Sequence, residues 1–269
     1  MKQPIIVVEN LYSSYDGKNY VLRNVSFTVN EGELFGILGP NGAGKSTLVL
    51  HLNGILKAKR GRVLVSGIDV RKNPREVRKL VGIVFQDPND QLFCPTVREE
   101  VGFGPYNLGV RGKDLEDVVF NSLKLVGMEG YIDREIKSLS FGEKKRVAIA
   151  AILAMNPQIV IFDEPFANLD FKGKKLVWDV IKTLRKEGKT VIIVTHEAEY
   201  LLECDRILLL ANGEVIRVGE PGEVLIPEIL KRNNLDVPLI IELFFELGLE
   251  LPKSLDDAKR VLKSKLKLG

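Results

Sequence analysis

Residues 39–48, GPNGAGKSTL, follow the apolar run LFGIL and open the helix-forming run STLVLHLNGIL. Gly39, four residues, then Gly44, Lys45 and Ser46 make the P-loop pattern in the strand, loop and helix setting it requires. Glycines let the backbone curl until successive amides point inward, and the following helix directs its positive end at the same place. The expected phosphate cradle comprises Asn41, Gly42, Ala43, Gly44, Lys45, Ser46 and Thr47. In it Lys45 reaches β- and γ-phosphates and Ser46 ligates Mg²⁺.

The rest of the chain supplies the sheet such a loop needs. IIVVEN, VSFTVN, ELFGILG, GRVLVSG, LVGIVFQ, QIVIFDEP, TVIIVTH, RILLLANG and EVIRVG are short β-branched or apolar runs separated by amphipathic stretches. Runs such as IVIF and VIIVT are apolar at successive positions, which suits strands covered on both faces. Helical segments between them act as crossovers, so the expected class is α/β with a mostly parallel core sheet. Residues 88–155 read as successive helices and form an expected helical insertion. After Gly219, prolines 221, 227, 238 and 252 break the pattern into short helices, an expected C-terminal extension over 220–269 behind a domain over 1–219.

Composition limits the partners. Of 269 residues, 39 are basic and 36 acidic, for a net charge of +3, so no basic tract demands a nucleic acid. Cys94 and Cys204 lie far apart and form no CxxC pair, which suggests neither a disulfide framework nor a zinc site and fits a reducing cytosol. No apolar stretch suits a signal peptide, and the longest candidate for a span, PLIIELFFELGLEL, is interrupted by Glu242, Glu246 and Glu250. If a membrane matters, another chain spans it.

Ligands of open parallel sheets gather at the carboxyl ends of strands. IVIFDEP ends there on Asp163, placed to hold the magnesium shell, and Glu164, placed to deprotonate an attacking water. Gln86 and His196 end VGIVFQ and TVIIVTH in the same way. A glutamine can touch both water and Mg²⁺, and a histidine can donate to a γ-phosphate oxygen. Each alone reads as an ordinary loop residue; together at consecutive strand ends they favour a site. His51, inside the run after the P-loop, has no such context. SLSFGEKKRVAIAAILAM brings Ser140 and Gly142 to a second helix start, which the residues alone leave open between an ordinary serine cap and a second anion cradle.

GPNGAGKST, FQ, LSFGE, IVIFDEP, ANLD and TH occur in the order seen in the ATP-binding cassette ATPases, and the chain resembles that family over nearly all of residues 1–219. The family's usual signature is LSGGQ, so Phe141 and Glu143 are departures, while Ser140 and Gly142 are retained. The resemblance implies a head-to-tail dimer, of two copies or two related ATPases, with ATP held between one subunit's P-loop and the other's LSFGE. It implies that Asp170 connects the two sites and that Tyr15 stacks on adenine. Residues 85–109, FQDPNDQLFCPTVREEVGFGPYNLG, resemble more narrowly the ATPase subunits of energy-coupling factor importers, including cobalt and nickel importers. That resemblance implies a transmembrane coupling subunit contacted near Asp90, Gln91 and Phe93, a membrane component that selects the substrate, and a peripheral place on the cytoplasmic face of the membrane. The competing expectations are a soluble cassette of DNA repair or translation and a P-loop kinase or switch. Against the first, the stretch between Lys45 and Ser140 has no room for long coiled-coil arms, one cassette is present where translation factors typically carry two, and no basic strip appears; the second leaves LSFGE and TVIIVTH without work.

Overall fold

A computed structural model gives the structure, which describes residues 3–266; the first two residues of the expected domain and the last three of the expected extension lie outside them. Among the described residues ten strands form two sheets. They are β1 (Pro4–Ser13), β2 (Leu22–Asn30), β3 (Leu34–Leu38), β4 (Arg60–Val65), β5 (Ile68–Asp69), β6 (Val81–Val84), β7 (Ile159–Asp163), β8 (Thr190–Thr195), β9 (Arg206–Ala211) and β10 (Glu214–Gly219). The smaller sheet is antiparallel, in the order β2-β1-β4-β5. The larger runs β10-β9-β3-β8-β7-β6 and is parallel except for β10. The two-residue β5 has no sequence run long enough to announce it.

The continuous apolar strands are explained by two cores, one on each face of the larger sheet. In β7, Ile159 and Ile161 enter one core while Val160 and Phe162 enter the other; in β8, Ile192 and Val194 part from Val191 and Ile193 in the same way. Because side chains alternate along a strand, both sets must be apolar when both faces are covered.

One face is covered by the antiparallel sheet together with α1 (Lys45–Leu52), whose Leu48, Val49 and Leu52 are buried there; α2 (Pro74–Leu80) adds Val77. The other face carries α3 (Val97–Asn107), α4 (Gly112–Leu125), α5 (Phe141–Ala154) and α6 (Phe171–Lys186). The first three make the helical subdomain, where α3 and α5 each start at a capping box, Thr96 with Glu99 and Ser140 with Glu143.

Beyond Gly219 follow α7 (Pro221–Val224), α8 (Pro227–Arg232), α9 (Leu239–Glu246) and α10 (Leu255–Leu266). Three of the four prolines open helices rather than merely breaking them. Pro221 and Pro227 stand in the first turn and Pro238 is the cap of α9, positions at which the missing N–H has no helical partner to lose. Val224, Leu225, Leu230 and Ile241 join the same core as α5 and α6, which fastens this segment to the sheet.

Candidate functional site

The register of the larger sheet brings four strand ends to one edge. Leu38 pairs with Thr195 and Val194 with Asp163, so the loop after β3, the acids at the end of β7 and the residues closing β8 start level with one another. Gln86 follows β6 two residues after its last strand residue, Val84, which pairs with Phe162.

Between Gly39 and α1 the loop needs glycine for two separate reasons. A Cβ on Gly39 would lie 2.2 Å from the Leu210 carbonyl oxygen, so the loop packs too close to β9 for any side chain. Gly44 caps α1 at φ 100°, a left-handed conformation that L side chains rarely adopt. The loop frames a cavity of about 230 Å³ lined by Asn41, Gly42, Gly44, Lys45, Ser46 and Thr47, with Gln86, Asp163 and Glu164 opposite. Lys45 donates to the carbonyls of Gly39 at 2.7 Å and Pro40 at 3.2 Å. Burial lowers its pKa, against the pull of Glu164 and Asp163. Burial raises that of Asp163, with the Ser46 hydroxyl beside it working the other way.

Glu164 is buried and fully engaged. Its Oε2 accepts from the Thr195 hydroxyl at 2.9 Å, and its Oε1 meets His196 Nδ1 at 2.8 Å. Its backbone is left-handed, φ 44°, an arrangement uncommon outside glycine, held in place by its amide's bond to the Val194 carbonyl. Since an ionised carboxylate only accepts, Nδ1 is the donor in that pair, and His196 can donate to a phosphate from Nε2 only when the ring carries both protons.

Tyr15 reaches the site from the loop after β1. Its hydroxyl lies 3.1 Å from Thr47 Oγ1, and the residue is 65% exposed. Ser140, Gly142 and Asp170 do not line the cavity. Ser140 caps α5, giving its N–H and its hydroxyl to Glu143 Oε2, both at 2.8 Å, and Asp170 caps α6 through the Gly173 N–H at 2.7 Å. A single chain therefore leaves its second helix start outside its own phosphate site. His51, expected to have no role at the site, is buried with Nε2 2.8 Å from Ser13 Oγ.

The expected partner surface needs one correction. Gln91 cannot offer its side chain outward: Oε1 accepts from the Phe85 N–H and Nε2 donates to the Ala148 carbonyl, so both ends of the amide are spent inside. Phe93 does stand out, 66% exposed, edge-on to Phe103 with ring centroids 4.8 Å apart. It borders a groove of about 310 Å³ with Leu92, Pro95, Ile136 and Lys137. Glu100, which sequence reading passed over, turns this loop: its Oε2 accepts from the backbone N–H of Phe93 at 2.9 Å and of Cys94 at 2.7 Å. Two other residues were missed, Thr195, the last residue of β8, and Lys145, which donates to the carbonyls of Phe85 and Gln86. Lys145 falls three and four residues before the buried Ala148 and Ile149, so helical periodicity places it on the inner stripe.

Among the described residues no helix is long and apolar enough to cross a membrane. The family described as "ABC transporter" matches residues 22–167. The chain is 44% identical over 262 residues to an energy-coupling factor transporter ATP-binding protein of Carboxydothermus hydrogenoformans, covering 96% of this chain and 97% of that one. It is 43% identical to one of Methanocaldococcus jannaschii, covering 89% and 88%. Among solved structures it is similar to cbiO1 of Clostridium perfringens, described as part of the ABC transporter complex cbiONQ, with TM-score 0.76, 38% identity and 91% and 100% coverage. A dimeric cassette in a post-hydrolysis state with ADP and Pi matches with TM-score 0.74, 31% identity and 80% and 98% coverage. With a phosphate cradle, an acid pair and a histidine on one sheet edge and relatives aligned along almost the whole length, the chain belongs to the ABC transporter family, as an ATP-hydrolysing subunit of the energy-coupling factor type.

Proposed function

We propose that the chain binds ATP on the loop from Asn41 to Thr47 and uses its hydrolysis to drive an importer through a separate membrane subunit. Lys45 exchanges the carbonyls of Gly39 and Pro40 for β- and γ-phosphate oxygens, and the Tyr15 ring, free beside Thr47, stacks on adenine. Ser46 from the loop, with Asp163 and Gln86 across from it, offer hard oxygen donors to the same cavity, a set that fits Mg²⁺ shared with phosphates. When bound, that ion neutralises charge on the phosphates. Glu164 takes a proton from the water that attacks the γ-phosphorus as the bond to the β,γ-bridging oxygen breaks, and His196 is placed to donate to a γ-oxygen.

A second copy, or a related ATPase, completes the site with Ser140 and Gly142 at the start of its α5, and Asp170 lies between the two sites. This accounts for a helix start that the chain does not turn toward its own cavity. The coupling subunit docks at the Phe93 groove and also meets the exposed Asp90, three residues earlier in the chain, so the chain works at the cytoplasmic face of the membrane. The membrane component selects the cargo, a metal ion such as cobalt or nickel, or a vitamin.

The observation that carries the reading is Glu164, buried and bonded to Thr195 and His196 on the wall facing the P-loop lysine. Glu164→Gln should bind Mg-ATP, hydrolyse it at least about 100-fold more slowly, the usual loss with a general base, and accumulate as a dimer in gel filtration with light scattering. Near-normal turnover removes the base assignment, and an ATP-loaded variant that stays monomeric removes the shared site.

A further inference from the structure

Lys145 has no solvent-exposed surface, yet it lies on the inner stripe of α5 where an apolar residue would pack more easily. Its Nζ donates to the Phe85 carbonyl at 2.9 Å and to the Gln86 carbonyl at 2.8 Å. Gln91 makes a second staple between the same two pieces, from the Phe85 N–H to the Ala148 carbonyl, and Lys144 a third, to Asn89 Oδ1 at 2.8 Å. Segment 85–91 and the first two turns of α5 are therefore joined at three points. Burying an ammonium is strongly unfavourable unless it is well paired, and breaking such a pair is worse than never having had it. The lysine is thus a poor packing residue but a stiff link, because its carbonyl partners cannot move away without stranding the charge.

We propose that Lys145 is a positioning residue that ties Gln86, at one chain's ATP site, to the Ser140 helix start that the same chain offers to its neighbour. The proposal rests on the reading above, in which Ser140 completes the neighbour's site. Gln86 presents its side chain to the cavity while its carbonyl is gripped from the other side by Lys145. Ser140 lies five residues before Lys145 as the cap of the same helix. A shift of Gln86 toward a bound γ-phosphate carries its carbonyl, the ammonium, and with it the rigid first turn of α5. Occupancy of one site thereby sets how α5 is presented to the other. A methionine would fill the same volume and hold nothing.

The test places Lys145→Met on the slowly hydrolysing Glu164→Gln background, with Ser140→Ala as a companion. Monomer affinity for a fluorescent ATP analogue should change far less than the dimerisation requirement, because Lys145 touches the site only through the Gln86 backbone carbonyl and not the P-loop. The ATP concentration for half-maximal dimerisation should rise about tenfold, within the range of coupling effects along such networks. If Ser140→Ala blocks dimerisation and Lys145→Met does not shift it, the coupling role is overturned while the shared site stands. If Ser140→Ala dimerises normally, the shared-site reading itself falls, and this proposal with it. Should Lys145→Met not fold, hydrogen exchange of the wild type at monomeric concentration decides. Mg-ATP should alter residues 85–91 and 141–146 together, and a response confined to 85–91 overturns the link.

Discussion

Lys45 Nζ stands 3.8 Å from Glu164 Oε1, with the lysine held by its own loop and the glutamate by Thr195 and His196. The pair faces across the cavity without forming a close ion pair, which leaves Lys45 on carbonyls it must release before it meets phosphate and Glu164 on the two bonds that orient it. The cation is spent on two carbonyls, neutral acceptors that phosphate oxygens outcompete.

Lys45→Ala therefore removes two charge-assisted hydrogen bonds to phosphate, worth about 1.5–3 kcal/mol each. ATP affinity in calorimetry should fall by at least roughly 100-fold. Lys45→Arg should not restore it, since a planar fork cannot replace a compact ammonium in a space shaped by backbone. Retained affinity in Lys45→Ala would place the phosphates elsewhere.

Thr195→Val keeps the shape of β8 and takes away the hydroxyl that donates to Glu164 Oε2 in a buried setting. Losing one partner of a buried bond to a carboxylate costs about 1–3 kcal/mol in stability, readable in urea denaturation. Since Glu164 then lacks one of its two orienting bonds, kcat should fall while KM for ATP stays near the wild-type value. A change confined to KM would mean that Thr195 serves binding rather than the base.

Why Thr195 and Lys145 escaped the sequence while Glu164 did not follows from what each residue's surroundings are made of. The strands were legible because their apolar runs are continuous, and the site acids because they interrupt such runs at the ends. A neutral hydroxyl at the end of β8, common in strands, and one lysine among EKKR carry no local signal of their partners, which come from the end of β7 and from the loop after β6. Gln91 shows the same limit from the other side: a polar residue in an acidic loop reads as exposed until tertiary contacts claim its amide. Tyr15 was reachable only through family resemblance, because its neighbour Thr47 is 32 residues away along the chain.

Cys94 gives a pH-dependent reading of the partner loop. Burial, and then the Glu100 carboxylate, push its thiol up to about 11. The thiolate is the reactive form, so alkylation at pH 8 should run roughly 100-fold slower than for a free cysteine of pKa about 8.5 and rise about tenfold per pH unit through about pH 9.5. Glu100→Gln removes the repelling charge and should speed labelling at fixed pH. A wild-type rate equal to that of free cysteine would show that Glu100 does not hold the loop that carries Phe93.

Glu143 stands where the family signature has glutamine, and its carboxylate accepts both the N–H and the hydroxyl hydrogen of Ser140. The backbone N–H holds its pKa below the usual glutamate value, so it is ionised at neutral pH. In the shared site proposed above, that negative charge lies beside the arriving triphosphate and occupies the hydroxyl the phosphate needs. Glu143→Gln keeps an oxygen for the capping box but loses the charge, at a cost of about 0.3–1 kcal/mol from the helix start. On the Glu164→Gln background it should lower the ATP needed for dimerisation several-fold. The wild-type glutamate should also make dimerisation easier as salt is raised, because a Debye length of about 8 Å at physiological ionic strength screens a partly exposed charge; the Glu143→Gln variant should lose most of that dependence. If the two forms instead show equal ATP requirements and equal salt slopes, the Glu143 carboxylate caps α5 and does not oppose closure of the dimer.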